Sequence, residues 1–505
     1  MYIIKFYTPK PIQKMIKSTF NKGQIVKRKK LKIVGDNTRV ITLPHIPSKI
    51  PRISNIIKKV LKLSESEAEQ QLEETLFLFA DRHRNIEQLL MRHYERVSEY
   101  VIKKDSISTT QKLLIGAFFT MEYSIESAAL FNPSIVPHPD QSLLPEGSMR
   151  FVMSLRATGE GHISSIVFRS GILDKNLSFN FDSVSEYVET PDIVHDPTYN
   201  NKLFKLKLQD LKAWNNTSEK ILNSLPDHFT HQELQKSIRS IFLDTDFSAD
   251  SWTITTMHWL ADSNYKIKFD EETALSERVI YPISANESKG IEDARFVKFT
   301  HDNGKVVYYA TYTAFNGRRV LSQMIETEDF ETFKMITLNG EGVKNKGMAL
   351  FPRKINGKYA MLSRQDGESN YIMFSDDLHF WEEGILLQKP EQPWELVQIG
   401  NCGSPIETDK GWLVMTHGVG NMRQYSIGVI LLDLEDPTKV IAKLENPLMT
   451  ANDEEREGYV PNVIYSCGSM LVGNNLIVPY AMSDVASRIA IVDINDLFNE
   501  MKFTT

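Results

Sequence analysis

A mainly β fold of radial type is what this sequence predicts: five repeated strand-rich units that follow an α-helical N-terminal extension. Three observations carry it. Five times between Met149 and Asp484 a hydrophobic strand ends on a polar or charged residue: RFVMSLRATGE (150–160), KVVYYATYTAF (305–315), KYAMLSRQDGE (358–368), WLVMTHGVG (412–420) and NLIVPYAMSD (475–484). The later copies recur every ~50–60 residues, the period of a blade-like unit. Asn-Gly and Asp-Gly pairs at 316–317, 339–340, 356–357 and 366–367 punctuate the same region as hairpin turns. Helical periodicity, by contrast, is confined to the N-terminal part and to one excursion at about 205–243. Equivalent strand ends of a radial fold converge, so Arg156, Arg364, His417 and Asp484 are expected around one cavity.

Composition narrows the function classes. The chain has 505 residues, 41% hydrophobic and 24% charged, enough to fill a large core. A formal charge of −7 speaks against a general nucleic-acid binder. The basic run Lys27–Lys30, followed by Lys32, reads as an exposed strand edge, where lysines discourage edge-to-edge pairing. Cys402 and Cys467 are the two cysteines of the chain and read as isolated buried thiols, with no zinc spacing around them. Lysines and prolines interrupt MYIIKFYTPKPIQKMIK, so no signal peptide is expected there, and no apolar run approaches ~18 residues. A cytoplasmic protein with neither nucleic acid nor membrane as partner follows as the expectation. A homo-oligomer is compatible with the sequence.

Along the chain, QIVKRKKLKIV and RVITL read as short strands. Ser64 and Glu67 form a capping box ahead of Leu72, Leu76 and Phe79 at helical spacing. Asn85 opens a second helix with Ile86, Leu89, Leu90, Tyr94 and Val97 on one face, and His83 and His93 in this polar region are expected to be solvated. A third helical stretch is expected over 109–130. Phe131–Gln141, stiffened by prolines, reads as a loop or sheet edge. These boundaries predict an extension at 1–130 and a β domain at 131–500. The excursion, with Thr230 and Glu233 capping its second helix, lies between the first two units. From Trp252 onward strands and hairpins are expected.

Four segments carry candidate chemistry. Glu292 and Asp293 are adjacent carboxylates at the start of a strand. Successive strand residues point to opposite faces, so only one is expected to aim at a given atom, with Arg295 sharing the face of Asp293; an ion pair closing a turn would use the same residues. Lys346 and Arg364, across a hairpin, suit a dianion such as phosphate, a point charge and a planar fork; taken singly they also read as a solvated lysine and a structural arginine. Val397–Ile406, with its glycines, permits close backbone approach and leads to His417, in register with Arg364. Asn132 and Ser134 on the Pro-rich segment suit sugar hydroxyls or a structural crossover. No Walker loop, dinucleotide glycine fingerprint, Gly-x-Ser-x-Gly elbow or HExxH motif is present.

Together GIEDAR (290–295), KGMALFPRKINGKYAMLSR (346–364), IGNCGSPIETDKGWLVMTHGVG (399–420) and YAMSD (480–484) make the chain resemble glycoside hydrolase family 130, the inverting β-mannoside phosphorylases and β-1,2-mannosidases, over about 130–490. The resemblance implies a five-bladed β-propeller, here with the α-helical extension and a helical insertion between the first two blades. It puts the general acid at Asp293 and the phosphate site at Lys346, Arg364 and His417. Gln398 stands where a lysine is common, with Arg423 as a substitute cation. Substrate contacts fall on Asn132, Ser134, Arg150, Arg156, Glu292, Arg295, Asp366, Tyr465 and Asp484. The partners implied are a β-mannooligosaccharide and inorganic phosphate as co-substrate, with no metal or other cofactor. Phosphate would attack the anomeric carbon while Asp293, whose pKa burial must raise, protonates the leaving oxygen. The alternatives are a hydrolase with Asp366 or Glu368 as base, a mannosyltransferase, and a non-catalytic glycan-binding propeller.

Overall fold

The structure is a computed structural model that describes residues 25–102, 104–194, 198–242, 251–318 and 320–504. The run MYIIKFYTPKPIQKMIK lies outside the described residues. Helices Ile50–Val60, Glu65–Phe79, Ile86–Glu95 and Thr109–Phe118 form the first part, around a core of Ile53, Ile57, Tyr94, Leu114 and Phe119. Ser64 and Glu67 make both reciprocal bonds of the capping box. The helix expected to reach residue 130 stops at Phe118, because Thr120–Ser124 pairs with strand Val40–Pro44 instead. His83 and His93 are buried rather than solvated: His83 Nε2 lies 2.9 Å from Glu122 Oε1 and His93 Nδ1 2.6 Å from Thr120 Oγ1. Burial pushes the His93 imidazole down to about 4.

The remainder is mainly β. Five sheets of four to six strands follow one another along the chain. Their leading strands are Ala129–Pro137, Ile291–Thr300, Ala349–Leu350, Gln398–Asn401 and Ile464–Tyr465. Each repeat copy is the second strand of its sheet: Met149–Thr158, Val306–Phe315, Tyr359–Ser363, Gly411–Val419 and Asn475–Met482. Among the described residues the strands of these sheets pair antiparallel, and the Asn-Gly and Asp-Gly turns put Gly317, Gly340, Gly357 and Gly367 at positive φ. Val26–Ile33, the basic run, is the last strand of the fifth sheet, beside Ala486–Asp493. Its lysines therefore lie along a sheet edge.

Each sheet shares an apolar core with the next. Phe168 and Phe296 join the first to the second, Met324 and Met361 the second to the third, Leu362 and Val414 the third to the fourth. Val429 and Val478 join the fourth to the fifth, and Met153 and Ile477 join the fifth back to the first. Between the first and second sheets lie helices Asn201–Asp210, Asn216–Asn223, His231–Phe242 and Ser251–Asp262, with their own core of Phe204, Leu208, Ile221, Phe229 and Leu260. The last of these corrects the expectation of strands from Trp252. Ser251–Asp262 buries one face, Thr253, Ile254, Thr256, Met257, Leu260 and Ala261, but two threonines lie on that face and Trp252 on the exposed one, which blurs the helical period.

Glu126 fastens the N-terminal part to the first sheet. Its Oε1 accepts from Arg39 Nε (3.1 Å) and Arg169 Nη2 (2.8 Å), and its Oε2 from the Asp36 amide (3.1 Å). All three side chains in this ionic cluster are nearly inaccessible. Glu126→Ala leaves two buried guanidiniums facing each other with only the more distant carboxylate of Asp36 to offset them, and should cost about 3–5 kcal/mol. A urea midpoint equal to that of the parent protein would refute this account.

Candidate active site

The site begins with two irregularities. Register shifts separate Phe131 from Ser134 in the leading strand of the first sheet, and Glu292 from Arg295 in that of the second. The residues between include Asn132 (φ 48°) and Asp293 (φ 56°), both left-handed. Such β-bulges re-aim a side chain and locally cancel the alternation of faces. The strict alternation of faces behind the reading of Glu292 and Asp293 is therefore corrected, although Asp293 alone of the two lines the cavity described below. Both reach one guanidinium: Arg156 Nη2 donates to Glu292 Oε1 (3.0 Å) and Nη1 to Asp293 Oδ1 (3.4 Å). Asn132 Nδ2 donates to the same Asp293 oxygen at 2.6 Å. Arg295, expected beside Asp293, gives its closest bond to the Tyr465 hydroxyl instead.

Asp293 lines a cavity of about 290 Å³ together with Arg295, Thr313, Lys346, Gly347, Arg364, Gly400, Asn401, His417 and Tyr465. Three cations and one carboxylate thus share a small space. Lys346 Nζ also stands 3.4 Å from Glu292 Oε2. Arg364 Nη1 approaches His417 Nε2 at 3.4 Å, and His417 Nδ1 lies 3.1 Å from the Asn401 carbonyl. With Nδ1–H donating to that carbonyl, Nε2 is an acceptor, so the ring is neutral. Burial, then Arg364 and Arg295, hold its pKa well below the ordinary value. His417 is consequently a polar partner of Arg364, not the third cation that sequence suggested. Gly400 lets this ring pack: a Cβ there would stand 2.4 Å from His417 Cε1. Asn401 Nδ2 donates to the Gly347 carbonyl at 2.6 Å, tying the Lys346 loop to the histidine.

Electrostatics divide the carboxylates. Burial pushes Asp293 up, but Arg156, Lys346, Arg295 and the Asn132 hydrogen bond outweigh it and hold the group below its usual range. The raised pKa expected of a proton donor is thus absent from the ligand-free site. Asp484 (φ 54°) behaves oppositely: burial first, then the charge of Asp293, push it up to about 6 against Arg156 and Arg423. Among the described residues no group of three His, Cys, Asp or Glu could hold a metal ion.

Asn132, Arg156, Glu292, Asp293, Arg295, Lys346, Arg364, His417, Tyr465 and Asp484 are therefore drawn together. Other candidates are not. Arg150 sits at the far end of Met149–Thr158 from Arg156 and pairs with Asp140 (3.2 Å). Asp366 accepts from the amides of Glu368 and Ser369, capping its own turn. Ser134 Oγ accepts from the Phe296 amide and stitches two leading strands. Gln398 pairs in register with Val419 and is not among the cavity's lining residues, and neither is exposed Arg423. Thr313, Asn401 and Gly347 escaped the sequence reading. Thr313 could have been found as the repeat position two before Phe315, whereas Asn401 lies on a strand too short to show a period.

The sequence model of glycoside hydrolase family 130, described as beta-1,4-mannooligosaccharide phosphorylase, matches residues 241–503, just over half of the chain. A 1,2-beta-oligomannan phosphorylase of Thermoanaerobacter sp. (strain X514) is 37% identical over 232 residues, 44% of this chain and 75% of the relative. A beta-1,2-mannobiose phosphorylase of Listeria innocua is 28% identical over 322 residues, 62% of this chain and 84% of the relative. The solved complex of a Listeria innocua beta-1,2-mannobiose phosphorylase with beta-1,2-mannobiose aligns at TM-score 0.45 and 21% identity, covering 74% of this chain and 92% of that one. The chain belongs to glycoside hydrolase family 130.

Proposed function

We propose that this protein catalyses the inverting phosphorolysis of β-mannosides, β-1,2-linked mannooligosaccharides in particular, to α-mannose 1-phosphate and a shortened oligosaccharide. The observation that carries the reading is one cavity in which Asp293 faces Arg295, Lys346 and Arg364 with no second carboxylate in its lining. An inverting hydrolase needs a base carboxylate ~6.5–9.5 Å from the acid to activate water; an anionic nucleophile needs none. The names of the relatives support the β-1,2 linkage. The cyclic order of shared cores supports reading the five sheets as blades of a propeller, with the site at their common centre.

In this mechanism phosphate enters between Lys346, Arg295 and Arg364, and His417 keeps the Arg364 fork aligned. A phosphate oxygen forms the new bond to C1 from the face opposite the leaving group. The glycosidic C1–O bond breaks, and its electron pair leaves with the acceptor oxygen, which takes a proton from Asp293 directly or through a sugar hydroxyl. The bound dianion offsets the cations that keep Asp293 ionised. Burial then dominates and the carboxyl gains its proton when substrate and phosphate are both in place.

Incubation with β-1,2-mannobiose should yield mannose 1-phosphate with phosphate present and nothing without it; free mannose at equal rate in both would select hydrolysis. Asp293→Asn should lower kcat about 10³-fold while the fold is kept. Arg364→Ala should raise KM for phosphate about 100-fold, the loss of a charge-assisted contact, and leave KM for the mannoside nearly unchanged. Equal effects on both substrates would contradict the assignment. Asp484 gives a stability test. Its pKa is raised from 3.8 to about 6 on folding, so the native state holds the extra proton between those values and stability is lost as pH rises through 6. Asp484→Asn should therefore stabilise the fold by ~1–3 kcal/mol at pH 8 and by much less near pH 4, read as Tm.

A further inference from the structure

A second cavity, of about 670 Å³, opens between the inserted helices and the second sheet. Its walls are Leu211, Trp252, Thr255, Thr256, Trp259, Asn316 and Arg318. Two indoles, of which Trp252 is half exposed, stand beside an amide, a guanidinium and two threonine hydroxyls that donate to carbonyls of their own helix and keep their oxygens as acceptors. This is the composition of a sugar site. A pyranose has a flat C–H face that packs on an indole, and a rim of hydroxyls that needs donors and acceptors around it.

Its position ties it to the main cavity. Asn316 and Arg318 lie on the turn that follows Val306–Phe315, at the end of that strand where Thr313 lines the main cavity, about 10 Å back at ~3.4 Å per residue. A Cβ on Gly317 would touch Lys289, three residues before Glu292. The helix bearing both tryptophans is fixed to the same edge: Asn286 Nδ2 donates to Ser263 Oγ, and Gln323 Nε2 to the Ser263 carbonyl.

We propose that the Trp252–Trp259–Arg318 cavity is a remote subsite that holds the acceptor end of a long β-mannooligosaccharide whose terminal unit occupies the main cavity. The proposal rests on the phosphorylase reading and extends it to chain length. On this proposal mannobiose is confined to the main cavity, whereas a hexaose extends into the second. The Asp293→Asn protein, slowed and kept free of phosphate so that no phosphorolysis occurs, is titrated calorimetrically with β-1,2-mannohexaose and β-1,2-mannobiose, with and without Trp252→Ala or Arg318→Ala. Loss of one stacked aromatic should weaken the hexaose about 10-fold and leave mannobiose unmoved. Trp252→Phe should recover most of the loss. Hexaose affinity unaffected by either substitution, or both glycans weakened alike, overturns the subsite. Phosphate-dependent release of mannose 1-phosphate from the hexaose by the unsubstituted protein is assayed in parallel. Its absence sinks the phosphorylase reading, whereas turnover without a chain-length effect overturns the subsite alone.

Discussion

Asn132 and Asp293 meet between the leading strands of neighbouring sheets, each held in the left-handed region that costs a non-glycine residue roughly 1–2 kcal/mol. Asn and Asp tolerate that region best, and the bond between them locks both bulges at once. Arg156 then completes the constraint from the second strand of the first sheet. It bridges Glu292 and Asp293 and also faces the charge of Asp484. Without the two bulges Glu292 and Asp293 would alternate, and one would leave the guanidinium. The backbone distortion is thus what gathers three carboxylates around one arginine, and it fixes the orientation of the carboxyl that lines the cavity.

That crowding sets the charge state on either side of Arg156. Burial first, then the charge of Asp293, makes Asp484, with Arg423 exposed and Arg156 shared, the carboxylate that yields, pushed up to about 6. Asp293 stays ionised because Arg156, Lys346 and Arg295 all act on it. On the far side Arg364 is buried beside a neutral imidazole, with its Nε unbonded in the ligand-free protein. The cavity therefore holds more cationic than anionic groups along its lining, an imbalance that an entering anion relieves.

The parts of this arrangement legible in the sequence were those with a period. The repeat exposed the second strand of each sheet because a buried run of five to ten residues ending on Arg156, Arg364, His417 or Asp484 stands out against its turns. The leading strands were nearly invisible. Ala349–Leu350 and Ile464–Tyr465 have two residues each, too few to alternate. Where a leading strand was long enough to read, the rule of alternation misled, because a bulge at Glu292–Arg295 is a tertiary matter decided by Asn132 and Arg156. A different blur concealed the helix Ser251–Asp262, whose buried face carries Thr253 and Thr256 while the aromatic Trp252 is exposed, so its apolar residues do not follow the helical period cleanly. Arg150, chosen by resemblance, shows the converse: a residue on the right strand at the wrong end.

The inserted helices and the cavity are mechanically joined through one buried carboxylate. Glu287 accepts from the hydroxyls of Tyr265 and Tyr312 and from the amides of Ile283 and Ser284. Tyr265 belongs to the strand that leaves the last inserted helix, and Tyr312 is the neighbour of Thr313 in the cavity wall. Glu287 itself stands five residues before Glu292, across the close turn at Gly290, where a Cβ would stand 2.5 Å from Ser164 Oγ. The segment 283–293 is thereby pinned at one end by the helical unit and at the other by Asn132 and Arg156. The two ends have separate apolar cores, around Phe204 and around Phe168, so substitutions confined to the outer face of the helices should add to, and not amplify, changes at the charged centre. A fold organised this way can vary how it holds the length of a chain while the groups around the reacting bond stay fixed.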